Sequence, residues 1–382
     1  MSVPAIDREY LHRTLQDLVR INSINPTLVE GAPGEREIGE YTADSLDQCG
    51  LRVESHEPRK GRVSVVGTLR GSGGGRSLML NAHYDTVGVA GMPDPFSGEI
   101  RDGKLYGRGA YDMKGSLAAQ MAAAKALADV GVKLRGDLHV AAVADEEYGS
   151  LGTEDLCKKM KCDGAIVTEP TSLRLCLAHK GYLWIEVETT GLAAHGSKFE
   201  KGVDANMRMG RFLAELDALE KDLRKRPGHA LVGPPSLHAA MLSGGSGLST
   251  YAAKCTLTIE RRTVPGETAA QVMGELQSIA DRLHAADPSF VATVKSTFER
   301  GPFEVDRDAR IVKCVAAALG REPEYFGDTP WMDSALLSDA GIETVVIGPH
   351  GAGAHADVEW VDLESVEQFA NVLVRAAIDY CH

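Results

Sequence analysis

Four short apolar runs in this chain each stop on a histidine or an acid, and that recurrence constrains the fold more than any other feature. The run 77–82 stops at His83-Tyr84-Asp85, 137–144 at Asp145-Glu146-Glu147, and 164–168 at Glu169, while 344–347 leads into His350 and then His355. Runs of that length read as buried strands, and 62–69 is a fifth of the same kind. Helical stretches lie between them, notably the Ala-rich segment 116–130 that ends before Gly131. Strands alternating with helices predict an α/β fold, a mostly parallel sheet flanked by helices. In such a sheet ligands bind beyond the carboxyl ends of the strands, so the four polar stops are expected to converge on one crevice.

After Lys180 the texture changes. The stretch 182–190 alternates as a strand, a charged helix spans roughly 205–224, 254–260 alternates again, and a helix runs over 269–284. This predicts a separate α+β unit on an antiparallel sheet, inserted into the first fold. Helices at 333–340 and 363–380 then return the chain to its first domain. The expected division is a catalytic domain over 1–178 and 294–382, with an inserted domain over 179–293. A length of 382 residues makes two domains natural, because single cores stop growing well below it.

Composition removes several function classes. The net charge of −13, with no cluster of Lys and Arg beside aromatics, lacks the phosphate-neutralising surface that nucleic-acid binding needs. No window approaches a membrane span, and the first twenty residues have amphipathic-helix spacing at Leu11, Leu15, Leu18 and Val19 rather than the apolar run of an export signal. A soluble cytoplasmic protein is the expectation. Seven scattered cysteines without a Cys-x-x-Cys pair read as free thiols. The glycine stretch 71–75 lacks the Lys-Ser/Thr ending of a phosphate loop and reads as a turn.

A further acid, Asp112, sits in Gly107-Arg108-Gly109-Ala110-Tyr111-Asp112-Met113-Lys114-Gly115, just ahead of the Ala-rich helix. Two imidazoles with several carboxylates suit zinc, cobalt or manganese better than an all-oxygen or all-thiolate set would. The ordered motifs His83-x-Asp85, Gly107-x-Gly109-x-x-Asp112-x-Lys114-Gly115, Glu146-Glu147-x-Gly149-Ser150, Thr168-Glu169-Pro170 and Gly353-x-His355 followed by Glu359-Trp360 resemble those of the M20 metallopeptidases. That group includes acetylornithine deacetylase, succinyl-diaminopimelate desuccinylase, aminoacylase and carboxypeptidase G. The resemblance covers nearly the whole chain, and the Glu359-Trp360 ending is most like the acetylornithine-deacetylase-like branch.

The resemblance implies that His83 and Glu169 bind one divalent metal, Glu147 and His355 a second, and that Asp112 bridges them. Zinc is the first choice of metal, with cobalt or manganese as alternatives. It implies Asp85 behind His83, its carboxylate accepting the free ring N–H and fixing the tautomer. Glu146 would be the general base, taking a proton from the attacking water and passing it to the leaving nitrogen. In the inserted unit, which the resemblance makes a dimerisation (lid) domain, His195 is similar to a histidine that reaches across a homodimer to steady an oxyanion. Arg262, just ahead of Pro265-Gly266, is similar to an arginine that grips a substrate carboxylate, a task suited to its planar fork. Ser249 departs from the family pattern, where many relatives carry an Asn at that substrate-binding position.

Taken together these expectations describe a two-metal amidohydrolase that removes an acyl group from the α-nitrogen of an amino acid carrying a free carboxylate. Two rivals stand beside it: a metallo-dipeptidase or carboxypeptidase, and a non-catalytic metal-dependent binding protein. The retained Glu146 speaks against the second. His179, His229, His238, His350 and His382 match no metal position. Lys114 reads equally as a helix-start lysine facing solvent or as a bias on the local charge.

Overall fold

The computed structural model describes residues 3–382, so the first two residues of the amphipathic N-terminal stretch lie outside the described residues. The stretch itself forms helix Arg8–Arg20, started by the Asp7 side chain accepting from the Tyr10 amide. It buries Leu11, Leu15, Leu18 and Val19, the face its spacing sets apart. The chain divides into two compact units. One runs up to Leu177 and includes Val305–Phe326 and Met332–His382; the other comprises Ala178–Glu304 and Gly327–Trp331.

In the first unit six strands of the nine-stranded sheet lie in the order Arg52–Arg59, Arg62–Leu69, Leu138–Val143, Leu78–His83, Gly164–Val167 and Glu343–Val346. The first two pairings are antiparallel. The three pairings from Leu138–Val143 through Glu343–Val346 are parallel. Leu78–His83 and Leu138–Val143 are buried at every position, as strands covered by helices on both faces must be, and their unbroken apolar character follows. Helix Gly115–Asp129 is buried on nearly every side, which its alanines permit, and packs against helix Leu363–Tyr380. Its two buried polar residues anchor it to the sheet: Ser116 Oγ donates to Thr168 O at 2.5 Å and Gln120 Nε2 to Thr168 Oγ1 at 2.9 Å. A small antiparallel sheet of Glu99–Arg101, Lys104–Tyr106, Trp360–Asp362 and Gly351–Ala352 completes this unit, joining segments far apart in the chain.

The second unit is a four-stranded antiparallel sheet in the order Ser236–Gly244, Lys254–Thr263, Gly181–Thr190, Val291–Arg300. Helices Ala205–Leu223 and Ala269–Ala286 share a core with it built on Ile185, Val187, Phe212, Leu257, Ile259 and Leu276. Thr268 and Gln271 form a capping box at the start of the second helix. The domain boundary expected near 293 is corrected here. It would cut strand Val291–Arg300, whose ladder with Gly181–Thr190 runs from Val291 to Arg300 and holds the whole strand in this unit. Strand Ser236–Gly244, which carries no clean alternation, is a further element that the periodicity did not reveal.

All seven cysteines are free, and Cys176, Cys255, Cys314 and Cys381 are buried. Among the described residues no helix is long and apolar enough to cross a membrane.

Candidate active site

The site is assembled at the carboxyl ends of the parallel strands of the first unit. His83 closes Leu78–His83, Glu146 and Glu147 follow Leu138–Val143, and Glu169 follows Gly164–Val167. Asp112 comes from the segment before helix Gly115–Asp129, in a stretch whose dihedrals are not helical. Gly109 lets that segment turn: its φ is +78°, and a Cβ there would lie 2.8 Å from Thr86 Cγ2. His355 sits in the loop between Gly351–Ala352 and Trp360–Asp362, where a Cβ on Gly353 would lie 1.9 Å from Val358 O.

These side chains fall into two groups that share Asp112. His83 Nε2 lies 3.1 Å from Asp112 Oδ1 and 3.8 Å from Glu169 Oε1. His355 Nε2 lies 3.4 Å from Asp112 Oδ2 and 2.9 Å from Glu147 Oε2. The two oxygens of one carboxylate thus face two separate imidazole–carboxylate pairs. His83 is buried, Glu147 and Glu169 nearly so, and His355 is the exposed member.

Such crowding shifts every group. Burial lowers His83, but its hydrogen bond to Asp112 and the charges of Glu169 and Glu146 outweigh burial and hold it well above the usual imidazole range. Hydrogen bonds to Asp112 and Glu147 push His355 up to about 10. Burial raises Asp112, yet the two imidazoles overcome it and hold the carboxyl well below its ordinary value. Burial pushes Glu169 up to about 8 and raises Glu147 as well. Three carboxylates and two imidazoles gathered this closely, with their donor atoms converging, fit two divalent cations of the zinc, cobalt or manganese kind.

Glu146 belongs to neither group. Its carboxylate makes no hydrogen bond or ion pair to a described residue, and burial, then the charge of Glu169, hold its pKa well above the ordinary range. Asp85 departs from expectation. The Nδ1 of His83 meets the backbone oxygen of Asp85 at 3.1 Å, while the Asp85 carboxylate stands off at 3.7 Å. That carboxylate is engaged elsewhere, accepting from the amides of Glu146 at 3.1 Å and Glu147 at 3.3 Å and from Asn25 Nδ2 at 2.8 Å. Lys114 also departs from its solvent-facing reading. It is fully buried, because the helix it leads into is covered nearly all round; Nζ donates to Ile21 O at 2.9 Å, and burial pushes its pKa down to about 7.

In the sequence Glu359 stands only at the end of a motif, and the structure gives it a task. It is 2% exposed and accepts four hydrogen bonds. Oε2 takes Arg108 Nη1 at 2.6 Å and Gly109 N at 3.1 Å, and Oε1 takes Tyr111 N at 2.9 Å and Asp112 N at 3.1 Å. The pairing of Trp360 with Tyr106 places it beneath that segment. Nothing in residue spacing could have announced the contact. His350 is in neither group and meets the Trp360 ring edge-on at 5.6 Å.

The remaining candidates lie in the second unit. His195 is exposed, and its Nδ1 accepts from the Ser197 amide at 3.2 Å, which leaves Nε2 to donate. Ser249 is adjacent: Gly196 N donates to Ser249 O at 2.8 Å, and His195 bridges Thr250. Arg262 is partly exposed, with Nε on Glu260 Oε1 at 2.7 Å and its guanidinium 5.1 Å from the Tyr182 ring centre, whereas neighbouring Arg261 is buried against Glu267.

Comparison with known proteins places this architecture. The chain is 30% identical to the acetylornithine deacetylase of Myxococcus xanthus over 387 residues, covering 97% of each chain. It is 29% identical to the N-formyl-4-amino-5-aminomethyl-2-methylpyrimidine deformylase of Bacillus subtilis, covering 90% of this chain and 89% of that one. Its fold matches a crystal structure from Bacillus subtilis described as a dinuclear metal binding peptidase from the M20 family, with a TM-score of 0.74, 14% identity and 98% of both chains covered. The model of peptidase family M20/M25/M40 matches residues 79–379, a span that takes in every candidate metal ligand, and the chain belongs to that family of metal-dependent hydrolases.

Proposed function

We propose that this protein is a two-metal hydrolase that removes an acyl group from the α-nitrogen of an N-acyl amino acid. One observation carries the reading: the two oxygens of Asp112 face separate His–carboxylate pairs. On this reading His83 and Glu169 hold one cation, Glu147 and His355 the other, and Asp112 spans both. Bound there, divalent cations supply Lewis acidity toward the amide carbonyl and the attacking water. Glu146, the acid left free beside them, accepts the proton of that water and delivers it to the departing nitrogen. The curated relatives support an acyl amide rather than a peptide, since one is a deacetylase and another a deformylase.

The substrate carboxylate is assigned to Arg262, whose outer nitrogens remain beyond its Nε contact with Glu260. Oxyanion contact is assigned to His195 Nε2 and a nearby polar contact to Ser249. A homodimer is part of the reading. Strand Ser236–Gly244 is an edge strand whose residues from His238 onward are exposed, including Met241 at 66%, and an unpaired edge of that kind is a template for pairing with a second chain, which supports the dimer. Zinc is the metal assigned.

Release of free amine from N-acyl amino acids and dipeptides, with zinc, cobalt or manganese supplied, tests the assignment. Metal-dependent release from acyl amino acids is the expected result. Release from dipeptides alone would make the protein a peptidase, and metal binding without release from either class would overturn the hydrolase reading for both.

A further inference from the structure

The turn carrying Glu146 and Glu147 is held from behind by a buried network of Asn25, Arg62, Glu35 and Asp145 around Asp85, of which only Asp85 belongs to a motif and none to the metal groups. Asp145 opens the turn at φ +73°, and its carbonyl accepts from the amides of Gly149 at 2.9 Å and Ser150 at 2.5 Å. The next two amides, Glu146 N and Glu147 N, both point at the carboxylate of Asp85. Two buried acids thus grip the turn from different sides. Asp85 is fully buried and Asp145 is 1% exposed, so their mutual repulsion is poorly screened.

Asn25 is what lies between them. Its Nδ2 donates to Asp85 Oδ2 at 2.8 Å and to Asp145 Oδ1 at 3.0 Å, so the two protons of one amide serve two carboxylates. Asn25 is itself held in place. Its Oδ1 accepts from Thr27 N at 2.9 Å, its backbone N–H donates to Thr86 O at 2.8 Å, and Ser23 Oγ donates to Tyr84 O at 2.6 Å. Arg62 backs the same point: Nη2 lies 2.7 Å from Asp145 Oδ1, and the guanidinium meets Glu35 through two bonds of 2.5 and 2.8 Å. Arg62 Nη1 also donates to Thr27 Oγ1 at 3.0 Å, closing a ring through the segment that carries Asn25.

We propose that Asn25, backed by Arg62 and Glu35, is a positioning residue that sets the turn bearing Glu146 and Glu147. It touches no reacting atom; it acts through Asp85 and Asp145. The inference rests on the assignment of Glu146 as base and Glu147 as metal ligand. An amide is required at this position, since Asn25→Asp keeps the shape but aims lone pairs at two carboxylates that now have no shared donor. The turn must then open, carrying both glutamates with it, and displacements on the order of 1 Å cost a rate factor of about 100.

The test compares wild type, Asn25→Asp and the uncharged Asn25→Ser, which serves if the first does not fold. Two readouts are taken: steady-state kinetics on an N-acyl amino acid that wild type hydrolyses, and titration with cobalt(II) followed by its visible absorption. Asn25→Asp is expected to lower kcat by about 10- to 100-fold with KM within about twofold, and to shift the cobalt bands because Glu147 has moved, with helix content by circular dichroism unchanged. Unchanged kcat and cobalt bands in a folded variant would overturn the inference. So would a fall in kcat that only tracks a loss of folded protein. Should wild type hydrolyse none of the acyl substrates, the deacylase reading fails by itself, and the cobalt spectrum alone decides the role of Asn25.

Discussion

Replacing Glu359 by Gln tests how Asp112, the acid proposed to span the two cations, is held. One oxygen of the side chain becomes an NH2 group. If it sits at the Oε2 position it confronts Arg108 Nη1 and Gly109 N, and if flipped it confronts Tyr111 N and Asp112 N. Two of four donors lose their acceptor either way, and Arg108, 3% exposed, keeps a charge with no anion against it. Breaking a buried pair on one side costs about 3–5 kcal/mol, and each stranded buried donor costs about 1–3 kcal/mol within that total. For a unit of this size the thermal midpoint should drop by on the order of 10 °C, measured with chelator present so that metal binding does not mask the change. Because Asp112 N is among the donors, metal affinity should fall as well, by about 10- to 100-fold in a calorimetric titration. A midpoint within about 2 °C of wild type together with unaltered metal affinity would refute the reasoning, since 3 kcal/mol cannot hide in so small a shift.

Three further outcomes are expected. Glu146→Gln should lower kcat by about 100- to 10,000-fold while elemental analysis still finds the wild-type metal content; full activity in this variant would remove Glu146 as the base. Metal affinity should rise with pH, because His355, pushed up to about 10, and Glu169, pushed up to about 8, must give up protons to become ligands. Both folded-state values lie above the ordinary ones, so the proton competes most strongly on the acid side; a Kd for zinc that did not weaken from pH 8 toward about pH 6 would contradict the assigned ligands. Sedimentation should give a dimer, and His195→Ala should lower kcat; a monomer with unchanged kcat would remove both the homodimer and the oxyanion role.

Much of the candidate metal site was legible without coordinates because His83, Glu147 and Glu169 each close or follow a strand whose type is written locally. In a parallel sheet every strand delivers its carboxyl end to the same edge, so His83, Glu147 and Glu169 had to become neighbours once 77–82, 137–144 and 164–168 were recognised as strands. Asp112 was placed by resemblance, which also chose His355 over His350 beyond the run 344–347, since loop residues carry no periodicity. The strand Val291–Arg300 and the boundary beyond it were misjudged because a ladder, rather than local pattern, holds that strand in the inserted unit.

The sequence by itself determined the α/β class and the inserted unit, which follow from periodicity over a few residues, while the resemblance of its motifs to a known family supplied the candidate metal ligands. Only the tertiary structure decided who holds those side chains. Glu359 reaches Asp112 through a strand pairing that spans most of the chain, Asn25 joins two acids that lie far along the chain from it and from each other, and Asp85 turned from the imidazole to the amides of the glutamates. Side-chain hydrogen bonds depend on positions set to within an ångström by long-range packing, and neither residue type nor spacing records such positions.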